Sequence, residues 1–546
     1  MFAHTRRIVS RIVPVLLVAF SIVINGFAAP PYLQITSRPP KDLPSRNVSQ
    51  EDLAKFAWQE FLALNWKASI DMNNPPSPSN QRGLPDLEWS YSQQAPQFPN
   101  PLVWQTYAQT TEFRPNSALT TAWQNLKTPT YSYATAPVLG IGPNISQINQ
   151  NNLWNNLDED SEIGSCDIYA QYGKQRNLND LVLFQVRVNK DEYEYLRLNF
   201  GADQYDPNGK LAITQAKVIA NITKAPYYSY YGSKPVSTCD CPPDQAICLP
   251  CGVASGNSNS PEGSIEVKSA WRRLLPSEDK SRFFTTTTIY YDLNGAGEIA
   301  YYNDTFALIG MHIIHKTANF PDFVFATFEH VDVEQSDAEY ILTPGPSGAE
   351  TPPAVPILRQ TGQTNRVQNH PVPPQLDQVT QQVQQQLHAL NPTTVWQYYR
   401  LTGVQGPSVD CPVSFNGGSV STSNCVKFQN PIICTNLDPN YFMANFVVES
   451  DPFLNNFSGP GFGKGGDPIF PGGCQNTVYK NETYTNGGCK GCHGVAQTAF
   501  GTDFSFLLDF GNNKPSLTPA TLHYIAPGAA IVKPVPLKHY LDAMKR

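Results

Sequence analysis

The stretch between residues 181 and 333 constrains the fold of this chain most strongly. β-Branched and aromatic residues recur there in short blocks punctuated by Gly, Asn and Pro. LVLFQVRV (181–188) alternates apolar and polar side chains, the period of a half-buried strand. EYEYLRLN (192–199) alternates again after Asn189, Lys190 and Asp191, and reads as the second arm of a hairpin. SIEVKSAW (264–271), TTTTIYYDLN (285–294), EIAYYNDTFALIGMHIIHK (298–316) and DFVFATFEHVDV (322–333) have the composition of strands. Blocks of this kind bury their apolar faces by pairing, so a β-rich domain over residues 159–345 is expected.

Helical signals flank it. In SQEDLAKFAWQEFLALNW (49–66), Ser49 and Asp52 form a capping box, and Leu53, Phe56, Ala57, Phe61 and Leu64 fall on one stripe. Trp58, Trp66 and Trp271 read as core. Residues 70–150 are rich in Asn, Pro, Ser and Gln and read as long loops, which makes residues 29–158 a helix and loop-rich region. TPGPSGAETPPAVP (343–356) opens a linker assigned to residues 346–375. Beyond it, Val379, Val383, Leu387 and Leu390 repeat at helical spacing; TVWQYYRLTG (394–403) reads as helix resuming after Pro392, and residues 439–448 as another. The expectation is an α+β chain: a β-rich N-terminal and central domain with loop-rich insertions, then a mainly helical C-terminal domain over residues 376–546. With 546 residues, two to four domains fit the length.

The N-terminus reads as an export signal. His4, Arg6, Arg7 and Arg11 precede an apolar run at residues 12–24, and Gly26 and Ala28 place small residues at a cleavage site after Ala28. The run is shorter than the about 20 apolar residues of a membrane span and contains Pro14, which favours cleavage over anchoring. A mature chain outside the cytoplasm, with no transmembrane segment once the signal (residues 1–28) is removed, follows. A net charge of −7, with only 15% charged residues, offers no concentrated basic face to phosphates and argues against a nucleic-acid partner.

Export changes the reading of the eleven cysteines. CDCPPDQAICLPC holds Cys239, Cys241, Cys248 and Cys251 in a spacing uncommon for structural zinc, so two disulfides pinning a proline-rich loop are expected. NGGCKGCHGVAQ (486–497) differs: Cys489, Cys492 and His493 form CxxCH. Two thiols three residues apart on a helical turn match the separation of the two vinyl groups of haem, and the next residue is placed under the iron. A chance CxxCH would be a disulfide or half a zinc site. Export, the glycines at 487, 488, 491 and 494, and the apolar AFGTDFSFLLDF that follows all favour covalent haem c, with His493 as proximal ligand.

Through CKGCHG the sequence resembles bacterial c-type cytochromes. NTVYKNETYTNGGCKGCHG, DFSFLL, FAWQEFLALNW, IEVKSAWRRL and HIIHKTANFPDFVFATFEHVD together look like large exported single-haem proteins described only as a cytochrome c family. That resemblance implies haem, one-electron transfer with redox partner proteins and a place in the bacterial periplasm or outside the cell; it brings no substrate.

The sixth iron ligand stays open among Met443, Met544 and His523, with His539 a further downstream histidine and an open iron also possible. A second cluster of interest is His312, Glu329 and His330. On a strand His312 and His315 face opposite sides, since three is odd against a period of two. Hydrogen-bonded core histidines are the ordinary explanation; a metal, haem-edge or proton-relay site is the functional one. Three readings therefore stand: an electron-carrying cytochrome, a haem-containing oxidoreductase with a second active site near His312 and His330, and a structural or binding module whose CxxC is a disulfide.

Overall fold

The computed structural model describes residues 31–46, 48–70, 81–96, 100–113, 118–126, 168–172, 182–202, 208–224, 238–253, 261–274, 278–293, 299–332, 338–342, 358–359, 372–406, 445, 478–479, 482–483, 489, 493 and 501–508. The export signal lies outside them, as do Met443, Cys492, His523, His539 and Met544. The helices are α1 (Gln50–Leu64), α2 (Thr110–Phe113), α3 (Lys190–Phe200), α4 (Lys210–Lys224) and α5 (Pro374–Leu390). The strands are β1 (Ala108–Gln109), β2 (Ile168–Tyr172), β3 (Leu183–Val188), β4 (Ile265–Arg272), β5 (Thr285–Leu293), β6 (Ile299–His315), β7 (Val324–His330), β8 (Ala338–Leu342), β9 (Leu358–Arg359), β10 (Tyr399–Gln405), β11 (Val478–Tyr479) and β12 (Glu482–Thr483).

A seven-stranded antiparallel sheet organises the molecule, in the order β1-β3-β4-β6-β7-β10 with β5 paired to β6. β2, β8 and β9 form a separate three-stranded sheet. The register of the large sheet sorts its side chains. Met311 lies opposite Phe328 and Ser269, Ile313 opposite Ala326 and Val267, and His315 opposite Val324 and Ile265, so these share one face. α1 covers that face: Phe61 stacks on Phe328 with ring centroids 4.2 Å apart, and Trp58 meets the same ring edge-on at 5.0 Å. α5 packs alongside, with Trp58 Nε1 donating to Thr380 Oγ1 (3.3 Å). Trp58, Trp66 and Trp271 are buried as expected, and aromatic burial at this density dominates the core energetics. The capping box also forms: Ser49 Oγ accepts from Asp52 N–H (3.1 Å), and the Asp52 carboxylate accepts from Ser49 N–H (3.1 Å).

Three expectations need correction. The mainly helical C-terminal cytochrome c-like domain is not present among the described residues. α5 lies on α1 and against the large sheet, and β10 is that sheet's edge strand on β7; beyond residue 406 the described elements are β11, β12 and a 3₁₀ turn at Phe506–Leu508. The sequence there is punctuated by Gly and Pro, as in FSGPGFGKGGDPIFPGG (457–473), which opposes long helices. Among the described residues the fold is sheet-rich, with few helices.

Second, EYEYLRLN is helix α3, not a hairpin arm. Asn189 stops β3 and starts the helix: its side chain accepts from Glu192 N–H (3.3 Å) and Ile265 N–H (3.2 Å) and donates to the Gly263 carbonyl (2.7 Å). Tyr193, Leu196 and Phe200 then fall on one buried stripe. Third, TVWQYYRLTG turns through a 3₁₀ segment at Val395–Tyr398 into β10, because pairing with β7 outweighs local helical preference.

Candidate haem-attachment site

Opposite the α1 face, the sheet presents Glu266, Lys268, His312, Ile314, Phe325, Thr327 and Glu329. The register sets this: Lys268 and Thr327 flank His312, and Phe325 lies opposite Ile314. The CxxCH motif meets this second face. The His493 ring sits 4.8 Å from the Phe325 ring, tilted by 54°. Asn445 docks on the same strand, donating to Thr327 Oγ1 (3.0 Å) and the Phe328 carbonyl (2.7 Å).

Cys489 and His493 both have α-helical backbone. Cys489 is buried and takes part in neither of the two disulfides described below. The His493 ring is partly accessible, and its Nδ1 lies 2.7 Å from the Phe504 carbonyl oxygen. A carbonyl can only accept, so Nδ1 carries the proton and the lone pair is on Nε2. Burial holds the His493 pKa down at about 4, against the Phe504 bond that favours the charged form, and Lys268 adds to the lowering. The ring is therefore a neutral imidazole with a fixed tautomer.

These features fit a haem ligand. Iron ligation needs a neutral imidazole with a donor nitrogen, and ligating histidines commonly give their other N–H to a carbonyl. The thiol is buried, and aromatic groups, Phe325 and the partly buried Phe504, lie beside the motif. Cys489 and Cys492 would tether the group and His493 would face its iron.

The carbonyl that accepts the His493 Nδ1–H hydrogen bond sits on an unusual backbone. Phe504 has φ +47°, a left-handed conformation rare outside glycine, and it is held between buried Asp503 and Ser505. Thr502 Oγ1 donates to the Ser505 carbonyl (2.7 Å), and Gln215 of α4 donates to the Leu508 carbonyl (2.7 Å). Gly501, at φ +69°, passes so close to Gln215 that a Cβ would lie 2.4 Å from its carbonyl oxygen. The segment is also tied to the cysteine loop, where Cys239 bonds Cys251 and Cys241 bonds Cys248, the two expected disulfides.

The proposed His312–Glu329–His330 cluster does not come together. His312 and Glu329 lie on the motif-facing side of the sheet, while His330 lies on the α1 side with Phe328. Among the described residues no group of three His, Cys, Asp or Glu side chains is arranged to hold a metal ion. His330 stacks on Phe283 at 3.7 Å, donates from Nε2 to the Arg282 carbonyl (3.1 Å) and accepts Asp332 N–H at Nδ1 (3.1 Å). Burial holds its pKa near 4. Glu329 lies 3.9 Å from Arg400 across the β7–β10 pair. His312 does lie within electrostatic reach of His493: burial, then Lys268, then His493 hold its pKa well below the ordinary range.

His312 and His315 face opposite ways, as their spacing implies. His315 pairs with Glu60 of α1 (Nδ1 to Oε1, 2.8 Å), and its Nε2 lies 2.7 Å from the Glu262 carbonyl oxygen. Burial opposes its charge, but Glu60 and Glu262 outweigh that and raise its pKa.

Sequence reasoning missed Phe325, Phe504, Asp503 and Lys316. The first two stood in blocks already singled out, as apolar positions with no further mark. Asp503 was legible as the one acid inside AFGTDFSFLL, a charge in an apolar run that asks for a partner. Comparison with protein-family models, curated proteins and solved structures finds no match to this chain.

Proposed function

We propose that this chain is an exported c-type cytochrome whose work is one-electron transfer, with haem c held covalently by Cys489 and Cys492 and His493 as the proximal iron ligand. The observation that carries this reading is the His493 tautomer: a neutral ring, proton on Nδ1 and fixed by the Phe504 carbonyl, within CxxCH. When bound, the haem supplies an iron centre able to take up and release one electron. The chain's own contribution is orientation and exclusion of water. Phe504 sets the ring plane of His493, and Phe325 with the sheet face beneath it offers an apolar wall. Two disulfides fit a location outside the cytoplasm, in the bacterial periplasm or beyond, where thiols are oxidised. Among the described residues no helix is long and apolar enough to cross a membrane.

A second reading, a haem-containing oxidoreductase, is favoured by one feature: His312 and Lys268 lie side by side on the sheet face that meets the motif. In that reading His312 would serve as a proton-exchanging group, and His330 would take no part. Intact-protein mass spectrometry of the chain secreted by a host with the c-type maturation machinery tests the main reading. The mass of one haem is expected on the parental chain and is lost in the Cys489→Ser, Cys492→Ser double variant. A parental chain lacking that mass, with Cys489 and Cys492 joined as a disulfide, would support the structural-module alternative instead. Loss of a turnover by His312→Ala with haem retained would favour the oxidoreductase.

A further inference from the structure

We propose that Asp503 is a positioning residue for the iron ligand: its buried carboxylate locks the backbone on which the Phe504 carbonyl accepts the His493 Nδ1–H hydrogen bond, and ties that lock to the disulfide-pinned loop. This rests on the reading of His493 as a haem ligand.

The connections are continuous. Asp503 Oδ2 accepts from Leu249 N–H (2.8 Å) and pairs with Lys316 Nζ, with neither side chain exposed. Lys316 follows β6 directly, and its Nζ also donates to the Thr238 carbonyl (2.9 Å). Leu249 lies inside the loop closed by Cys239–Cys251, and Thr238 adjoins its first cysteine, so both outer contacts of the pair lie at the disulfide-pinned loop. Asp503 therefore ties the end of the central strand and the cysteine loop to the backbone of its neighbour Phe504.

The need for such a lock follows from Phe504. A non-glycine residue at φ +47° persists only where its surroundings over-determine it. Asp503 on one side and Ser505 on the other, with the Thr502 to Ser505 hydrogen bond closing the turn, provide that constraint. Releasing Asp503 lets Phe504 relax toward negative φ, which carries its carbonyl away from Nδ1. The Nδ1–H···O=C bond makes the imidazole a stronger electron donor, and outer groups that hold such bonds tune the metal. Loss of the bond weakens donation to iron and disfavours the oxidised state, so the reduction potential rises.

The test uses the full-length secreted chain with haem attached. Asp503→Asn keeps the shape of the side chain and removes the charge. The Cys241→Ser, Cys248→Ser double variant loosens the same frame without touching Asp503 or the motif. Covalent haem per chain, midpoint potential and deuterium exchange of the His493 ring N–H are measured for each. The expected result is parental haem content, a raised potential and ring N–H exchange faster by about tenfold or more. Haem-loaded Asp503→Asn with parental potential and parental exchange overturns the inference while leaving the cytochrome reading intact. If Asp503→Asn does not fold, the double cysteine variant decides by the same criteria. A parental chain with no covalent haem overturns both.

Discussion

His330 and His493 are both neutral imidazoles with pKa values near 4, yet they carry their proton on opposite nitrogens. His330, in the sheet body, donates from Nε2 and accepts a backbone N–H at Nδ1, so proton and lone pair are both spent on the fold. His493, on the other side of the sheet, spends its Nδ1 proton on Phe504, and its lone pair is the one that points from Nε2. His315 completes the contrast, with a carboxylate at one nitrogen and a carbonyl at the other, and it favours the charged form. Three histidines in one chain thus occupy three states: burial keeps His330 and His493 neutral, their partners fix which nitrogen holds the proton, and at His315 Glu60 and Glu262 outweigh burial. A histidine such as His330, held by the fold at both nitrogens, is part of the architecture; the proposed haem ligand is the one with its proton fixed on Nδ1.

The largest expected effect breaks this contrast at its functional end. His493→Ala is expected to change the axial-ligand signature of the haem spectrum, while the thermal melt of the sheet shifts by no more than about 1 kcal/mol. His330→Ala should do the reverse, retaining the spectrum and lowering the melt. Parallel visible spectra and calorimetry check both.

Next in size, Glu60→Gln removes one partner of the buried Glu60–His315 pair and is expected to cost about 3–5 kcal/mol in urea unfolding. Because the folded pKa of His315 is raised above 6.5, its contribution is fully present below that pH and fades as pH rises through the raised value. The gap between parental and Glu60→Gln proteins should therefore narrow on going to alkaline pH.

The third sharpens the comparison from the His330 side. Its folded pKa is about 4, below the ordinary 6.5, so the unfolded chain binds a proton that the folded chain refuses as pH falls through that window. Stability should drop by on the order of 3 kcal/mol between pH 6.5 and 4 from this group. His330→Phe, which keeps the stack on Phe283, should flatten that slope in unfolding titrations. The smallest effect concerns neither histidine: Ser49→Ala deletes the α1 cap and should cost about 1 kcal/mol.

Much of the sheet body was legible because its signals are local. The capping box needs two residues three apart, and the strands at 265–272, 285–293, 299–315 and 324–330 announce themselves by composition. The disulfide loop followed from spacing and export. α3 was misread because EYEYLRLN alternates and spirals equally well, and only the Asn189 bonds to Gly263 and Ile265, more than seventy residues away, decide between them. β10 was misread because its partner β7 is remote in sequence. The motif itself was readable by its fixed spacing, but its support was not. Phe504 adopts a glycine-like φ with no glycine to mark it, and Lys316 meets Asp503 across 187 residues. The His312–Glu329–His330 cluster failed for a reason the period-two rule already contains: residues 329 and 330 are neighbours on one strand and must face opposite ways.

The central claim is that CxxCH holds a haem with His493 as its prepared ligand. A pyridine haemochrome spectrum of the full-length secreted protein tests it most directly. One c-type haem per chain, unextractable by acidified organic solvent, is the predicted result. A spectrum without a haem α band, from protein made in a host competent for c-type maturation, would contradict it.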